Sequence, residues 1–379
     1  MHPLVSGPEA KRYIEPDTTT YILFPYERVG QAVRVIGSDR LEQAYPSAWA
    51  YLKSHEADLR ARENGAFDDD QWYRFGRHQN LDKQNIEKLI VAQTVPGMRV
   101  CLDSSAEKYL NNVRVNGILP ADGIDIGYLL AVLNDPVCDW AFRRIAKPKD
   151  NQYFEANRQF IAPLPIPRTD EASRNAIGTA ARELQRLHSS RRNTLRDLRH
   201  RLDASPSQNR RLDFIFPTLR TASQRRGEAP RGVDVGEWTT AAYELELAER
   251  YGTIASALHP EVELEASYLR GELRVQADGA TIIDGIFVDA TEGPFIAAQW
   301  NARLDSFSPP TNNPGRSLVN LLRRLIVTDN QALRDQVIAL EQEQRAFKAT
   351  ITDNETTLNE RLYGLYGVNE AERRMIEQG

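Results

Sequence analysis

The sequence predicts a mixed α/β fold: an N-terminal α+β domain, then long paired, coiled-coil-like helices that carry a small inserted β element. Three observations point there. Short apolar runs bounded by turn residues, such as Leu89-Ile90-Val91 ahead of Pro96-Gly97, alternate with helical patterns in the first half. Residues 175–203 hold Ile177, Ala181, Leu184, Leu187, Leu195, Leu198 and Leu202 on one helical face. Residues 317–361 place Leu333, Val337, Leu340, Phe347, Ile351 and Leu358 at a 4-3 spacing, with Gln344 and Asn354 at two further seam positions.

Taken in order, Ser6-Gly7-Pro8 is turn chemistry, and Tyr21 to Phe24 reads as a short strand stopped by Pro25. Pro46 to Arg62 reads as one helix ended by Asn64-Gly65. Strands follow at Lys88–Val95, Arg99–Asp103 and Asn111–Leu119. The apolar stretch from Ile126 to Arg144 is a helix that Asn134-Asp135-Pro136 kinks or splits. Order resumes at Tyr153–Ile161, and Pro163-Leu164-Pro165-Ile166-Pro167 is a stiff connector that marks a domain boundary. The expected layout is a first domain over 1–168 and an Arg-rich helix over 169–204. A loop, helix and β insertion cover 205–316, and a long helix with a capping helix covers 317–379. Within the insertion, 205–232 reads as loosely ordered and Trp238–Tyr251 as a helix. Leu273–Val275, Ile282–Val288 and Phe295–Ala298 read as strands joined at Asp278-Gly279 and Glu292-Gly293. Asn369 and Glu372 have the spacing of a capping box for a last helix.

The chain has 379 residues, 41% of them hydrophobic and 27% charged, the ordinary make-up of a soluble protein of two or three domains. No apolar run approaches the ~18 residues of a membrane span, so the expectation is a cytoplasmic protein without a membrane partner. Cys101 and Cys138 lack partners at metal-ligand spacing and read as buried thiols. The net charge of −5 is uneven: 1–168 carries −1, 169–232 carries +7 and 233–379 carries −11. No lysine occurs between Lys149 and Lys348, so the basic middle is built of arginine. Such a run reads either as a solvated helix face or as a track for phosphates.

No catalytic motif is evident. There is no Gly-rich turn after a strand for a nucleotide or S-adenosylmethionine, no Asn-Pro-Pro-Tyr or Asp-Pro-Pro-Tyr, and no nucleophile elbow. Ile86-Glu87-Lys88 matches half of a nuclease motif without a convincing upstream Pro-Asp, and the spacing suggests no metal site. One stretch is rich in nucleic-acid-competent groups: Gln71-Trp-Tyr-Arg-Phe-Gly-Arg-His-Gln-Asn80. Arginine and carboxamide side chains read base edges or hold phosphates, and rings stack on bases. Trp72 and Phe75, three apart, fit a core equally well. The DNA-contact candidates are Lys11 and Arg12 near the start, and Arg74, Arg77, His78, Gln79 and Asn80 in this stretch. Lys83 and Lys88 follow it, and Lys147, Lys149, Asn151 and Tyr153 lie in a polar loop.

Three blocks, in this order, resemble the C-terminal target-recognition region of TaqI-type adenine-specific DNA methyltransferases, including the fused restriction–modification enzymes of type IIG. The first is Leu4-Val5-Ser6-Gly7-Pro8-Glu9-Ala10-Lys11-Arg12-Tyr13 with Tyr21-Ile22-Leu23-Phe24-Pro25-Tyr26. The second runs from Trp49-Ala50-Tyr51-Leu52-Lys53 through Trp72-Tyr73 to Arg77-His78-Gln79-Asn80-Leu81. The third is Tyr128-Leu129-Leu130-Ala131-Val132-Leu133-Asn134, then Tyr153-Phe154 and Leu164-Pro165-Ile166-Pro167. The tail from Leu362-Tyr363-Gly364 to Glu372 is similar to the end of these enzymes. Residues 205–315 have no counterpart in it.

The resemblance implies a module that binds double-stranded DNA at a specific sequence. It implies S-adenosylmethionine and a catalytic methyltransferase domain elsewhere in the parent architecture or on a partner subunit. The family's catalytic residues have no positions here. The alternative expectation is a coiled-coil interaction subunit that holds separate methyltransferase or nuclease chains.

Overall fold

The computed structural model describes residues 1–111, 113–149, 152–260 and 262–378. It is a mixed α/β protein of several small sheets and long helices, as the sequence predicts. Two compact units divide it: Met1–Ser189 with Thr350–Gly379, and Ser190–Ala349. The division does not follow the proline connector. Leu164 is buried there, and the hydroxyls of Tyr128 and Tyr366 donate to the carbonyls of Pro167 and Pro165, so the connector is packed into the first unit.

The first unit opens with β1 (His2–Val5), β2 (Tyr21–Ile22), and the hairpin of β3 (Tyr26–Val29) and β4 (Ala32–Val35). The expected 46–62 helix is two, preceded by a third. These are α1 (Ser38–Ala44), α2 (Pro46–Ser54) and α3 (Glu56–Gly65), with Glu63 and Asn64 in left-handed conformation where α3 kinks. Then come β5 (Lys88–Ala92), β6 (Thr94–Val95), β7 (Val100–Asp103), β8 (Tyr109–Leu110) and β9 (Val115–Ile118). The expected apolar helix is split at Asn134-Asp135 into α4 (Ile126–Leu133) and α5 (Pro136–Ile145). β10 (Phe154–Glu155), α6 (Arg158–Ile161) and α7 (Glu171–Asp203) follow.

The central antiparallel sheet has the order β7-β5-β9, with Ile90 opposite both Cys101 and Gly117. Leu89, Ile90 and Val91 are wholly buried, as a continuous apolar run requires. β7 is an edge strand, and its outward backbone groups need partners. Two buried carboxamides supply them. Asn134 accepts from Val100 N at 2.9 Å and donates to Val100 O at 3.0 Å. Gln185 of α7 does the same to Leu102, at 2.7 Å in each direction.

In the second unit, 205–232 is more ordered than expected. It forms β11 (Ser207–Asn209), α8 (Leu212–Ile215) and α9 (Ala222–Gly227). Ile215 and Phe216 enter the core, and Arg225 is buried against Glu246 and the Tyr243 ring. α10 (Val235–Ser256) precedes the meander β12 (Leu264–Leu269), β13 (Glu272–Ala277) and β14 (Ala280–Phe287). The expected strand at 295–298 is instead part of α11 (Gly293–Leu304), whose apolar run is buried on all sides; such a run does not by itself separate strand from buried helix. The expected 317–361 helix is interrupted. α12 (Pro314–Leu322) leads into β15 (Arg324–Ile326), which pairs with β11. Then come α13 (Gln331–Tyr366) and α14 (Glu370–Glu377) with its Asn369–Glu372 capping box.

Segments of α7 and α13 meet in each unit. Within the second unit Leu198 and Leu202 share a core with Val337, Leu333 and Leu340, and Arg201 bonds Gln336. Within the first, His188 meets Glu355 at 3.1 Å.

Near the end of α13, Tyr366 meets the N-cap of α5. Asp135 is buried; its Oδ1 accepts from Cys138 N at 2.8 Å, and its Oδ2 lies 3.2 Å from the Tyr366 hydroxyl. That hydroxyl is also 2.9 Å from Pro165 O. One phenol has one proton, so an ionised Asp135 leaves two acceptors competing for it. A protonated Asp135 satisfies both, donating to Tyr366 while Tyr366 donates to Pro165. Burial, the main cause, pushes the Asp135 carboxyl up to about 7.

Two predictions follow from these contacts. Gln185→Leu, similar in size, strands a buried N–H and a buried C=O of β7. It should cost roughly 2–6 kcal/mol in chemical denaturation, and a loss below half of one would rule out the edge-capping role. For Asp135 the folded-state value lies above the unfolded one. Its contribution is therefore complete below about pH 4 and is lost as pH rises through about 7, on the order of 4 kcal/mol over the window. Asp135→Asn keeps the cap and the donor, so the variant should gain on the parent between about pH 4 and 7 in urea melts. A constant gap would show that Asp135 is ionised throughout.

Candidate nucleic-acid interface

The stretch from Gln71 to Asn80 divides into a buried and an exposed half. Trp72 and Tyr73 are core residues: they pack on Trp49 at 5.7 and 5.5 Å between ring centroids, and Tyr73 donates to Ile36 O at 2.7 Å. Phe75 N donates to the Tyr26 hydroxyl at 2.6 Å, and the Phe75 ring lies among Phe24 and Tyr26. The aromatic residues therefore hold the loop rather than offer a stacking platform. Arg62 donates to the carbonyls of Trp72 and Arg74 at 2.7 and 2.9 Å, fixing the chain from below. Burial, then the neighbouring Arg74 charge, holds its guanidinium below the ordinary arginine value. Arg74 is held by Asp69 at 2.5 Å and lies over the Phe67 ring.

Beyond Gly76 the chain turns outward. Arg77, His78, Gln79, Asn80 and Lys83 are all exposed. Asn80 takes φ +58°, a left-handed conformation that asparagine tolerates, and starts a single helical turn over Leu81–Lys83. The segment is anchored again at Gln84, whose side chain accepts from Leu110 N at 2.9 Å.

Lys88 is the second anchor, which corrects its assignment as a DNA contact. Its ammonium is buried and donates to Gln84 O at 2.7 Å, Ile86 O at 3.1 Å and Asp103 Oδ2 at 2.7 Å. An ammonium has three donors, and all three are spent. Desolvation lowers its pKa, against the pull of Asp103. Asp103 in turn accepts from Lys108 N at 3.1 Å.

Arg12 is likewise committed internally, to Glu355 at 2.7 Å and to Asn134 O at 3.3 and 3.1 Å. Lys11 beside it is exposed. Lys149 pairs with Glu155 at 2.6 Å, and Lys147 lies 3.9 Å from the same carboxylate. Tyr153 is exposed, and Asn151 lies outside the described residues. That loop stands on the β6–β10 pair, a separate element from the 76–87 segment. The arginines of α7 do not form a free phosphate track. Arg182 pairs with Asp125, Arg186 with Glu183, and Arg191 and Arg199 share Asp305. Arg192 and Arg196 have partners as well.

The sequence reading missed the β3–β4 hairpin. Val29 pairs with Ala32 across a two-residue turn, and Gly30 at φ +65° supplies the positive dihedral that the turn needs. Tyr26 and Arg28 lie on the face toward the loop: the Tyr26 ring approaches His78 at 6.4 Å, and Arg28 donates to Asp82 O at 3.1 Å. Arg28, Gln31 and Arg34 are exposed. The signal was the alternation from Tyr26 to Val35 about Gly30. The structure thus joins Arg77, His78, Gln79, Asn80 and Lys83 with a two-stranded ribbon whose loop-side face carries Arg28, with Gln31 in its turn and Arg34, opposite Glu27, on its other face. A ribbon of this kind fits the major groove of B-DNA.

Comparison with known proteins links the chain to restriction–modification enzymes. It is 23% identical over 176 residues to the type II restriction enzyme and methyltransferase RM.Eco57I of Escherichia coli. The match covers 42% of this chain and 17% of that protein, so the chain spans a small part of its relative. No protein-family model matches. Among the described residues no helix is long and apolar enough to cross a membrane.

The buried ion pair makes a stability prediction. Lys88→Met leaves Asp103 charged and uncompensated, at an expected cost of about 3–5 kcal/mol. Adding Asp103→Asn, which removes that charge and keeps an acceptor for Lys108 N, should recover part of the loss. If the double variant is no more stable than Lys88→Met alone, Asp103 is not the charge that Lys88 serves.

Proposed function

We propose that this chain is the DNA target-recognition part of a restriction–modification enzyme of the adenine-specific, type IIG kind. Methyl transfer from S-adenosylmethionine would belong to a methyltransferase domain or subunit acting with it. The observation that carries the reading is the exposed Arg77–Asn80 segment beside the β3–β4 ribbon, held on a buried aromatic base. Side chains of these types read guanine and adenine edges, while Lys83 suits a phosphate. The similarity to a restriction and methyltransferase enzyme supports the assignment of the partner as double-stranded DNA. The packing of α7 on α13 within the second unit favours a second role, as the scaffold on which a methyltransferase or nuclease subunit is held.

The test is a salt-dependent binding titration of the chain with its methyltransferase part, using a duplex selected from a random pool and unselected duplex. Arg77→Ala and Gln79→Ala should each lose about 1–3 kcal/mol for the selected duplex and little for the other. Lys83→Ala should weaken both alike and lower the salt slope by roughly one. Equal losses on both duplexes for Arg77→Ala and Gln79→Ala would mean that this face does not read sequence.

A further inference from the structure

The second unit holds a group of arginines unlike those of α7. Arg323 Nε donates to Arg210 O at 3.1 Å, and Arg210 N donates to Arg323 O at 2.9 Å, extending the β11–β15 pairing by one residue. Arg324 stands opposite Asn209 in that pairing. Arg316 lies seven residues before Arg323, two turns away on the same side of α12, with exposed Asn320 between them. Both charges act on the Tyr251 phenol. Arg303, in the last turn of α11, feels Arg324, and burial with that like charge holds its guanidinium below the ordinary arginine value despite Asp203.

In α7, Arg182, Arg186, Arg191 and Arg199 are paired with carboxylates, but these are not. Among the described residues, Arg303, Arg316, Arg323 and Arg324 have no carboxylate within ion-pair distance, and Arg303 Nη1 is buried without an acceptor. The C-terminal ends of α11 and α12 offset part of the repulsion through their dipoles. They do not use up the outward donors. Like charges gathered without a carboxylate in ion-pair distance favour a polyanion. Every cation here is arginine, whose planar fork matches phosphate oxygens, and the neighbouring Asn209 and Asn320 add the neutral donors that phosphate sites also use.

We propose that Arg303, Arg316, Arg323 and Arg324 form a phosphate-binding patch that grips the backbone of duplex DNA without reading its sequence. This rests on the target-recognition reading and assigns the second unit a part in it. The patch adds affinity and orientation, while discrimination stays with the first unit.

The test uses the full chain with its methyltransferase part and fluorescently labelled random-sequence duplex in a salt series. Arg316→Ala/Arg324→Ala, both at exposed positions, should lower the salt slope by about two. Raising salt from about 50 to 200 mM should therefore narrow the gap between parent and variant by about tenfold. Selected and unselected duplexes should be weakened by the same factor. Arg316→Lys/Arg324→Lys keeps the charge and should keep the slope. Should the alanine pair melt early, Arg316→Glu alone carries the test, with a slope lower by at least about one. An unchanged slope in the alanine pair, while Lys83→Ala lowers it, overturns the patch and leaves the target-recognition reading standing. Loss of stabilisation by inorganic phosphate in the alanine pair, with duplex binding unchanged, makes the patch a free-phosphate site and also overturns the proposal. A parent protein that binds no duplex overturns both readings.

Discussion

The constraint on which this structure depends is the satisfaction of sheet edges. Among the described residues no sheet has more than three strands, so most strands have an open side whose peptide groups need partners. The fold meets this with buried carboxamides, each bonding both the N–H and the C=O of one residue. Asn134 serves Val100 and Gln185 serves Leu102, while in the second unit Gln299 serves Ile326 and Asn301 serves Ala266. A side-chain amide has the same donor and acceptor as a peptide group, so each acts as one residue of a missing strand. Three of the four come from helices, which ties helix to sheet by polar contacts inside an apolar layer.

The candidate face uses the same logic of commitment. A cation that spends its donors internally has none left for a ligand. By this measure Lys88 and Arg12 are parts of the framework, Arg74 is largely so, and Arg77 and Lys83 remain outward. Lys88 ties the base of the loop to β7 through Asp103, and Gln84 ties it to β8. The exposed tip is thus carried by a rigid stem, the arrangement that lets a loop present side chains without a large ordering cost on binding.

Much of this architecture is legible from residue pattern. The continuous apolar strand at 88–92, the split at Asn134-Asp135-Pro136, both long helices and the Asn369 cap follow from local rules. Tertiary burial explains the failures. Phe295-Ile296-Ala297-Ala298 looks like a strand because a helix buried on every side loses its polar face. Residues 205–232 look loose because Ser, Pro and Arg dominate there, yet Arg225 finds Glu246 and a tyrosine ring across the chain. In the 71–80 stretch, composition marked a candidate but did not divide it into its buried and exposed halves. Whether Trp72 stacks on a base or on Trp49 is decided by residues far away in sequence. The hairpin was missed because ten residues with a single glycine carry a weak signal.

The separation of stem and tip also bears on how such a protein changes over generations. The side chains of Arg77, Gln79 and Gln31 are exposed, so replacing them costs the fold little. The residues that position them, Arg62, Tyr26, Lys88 and Gln84, are each bonded several ways or buried and tolerate little change. Under the proposed function, a surface divided in this way can drift in specificity while its scaffold is held fixed by the demands of stability.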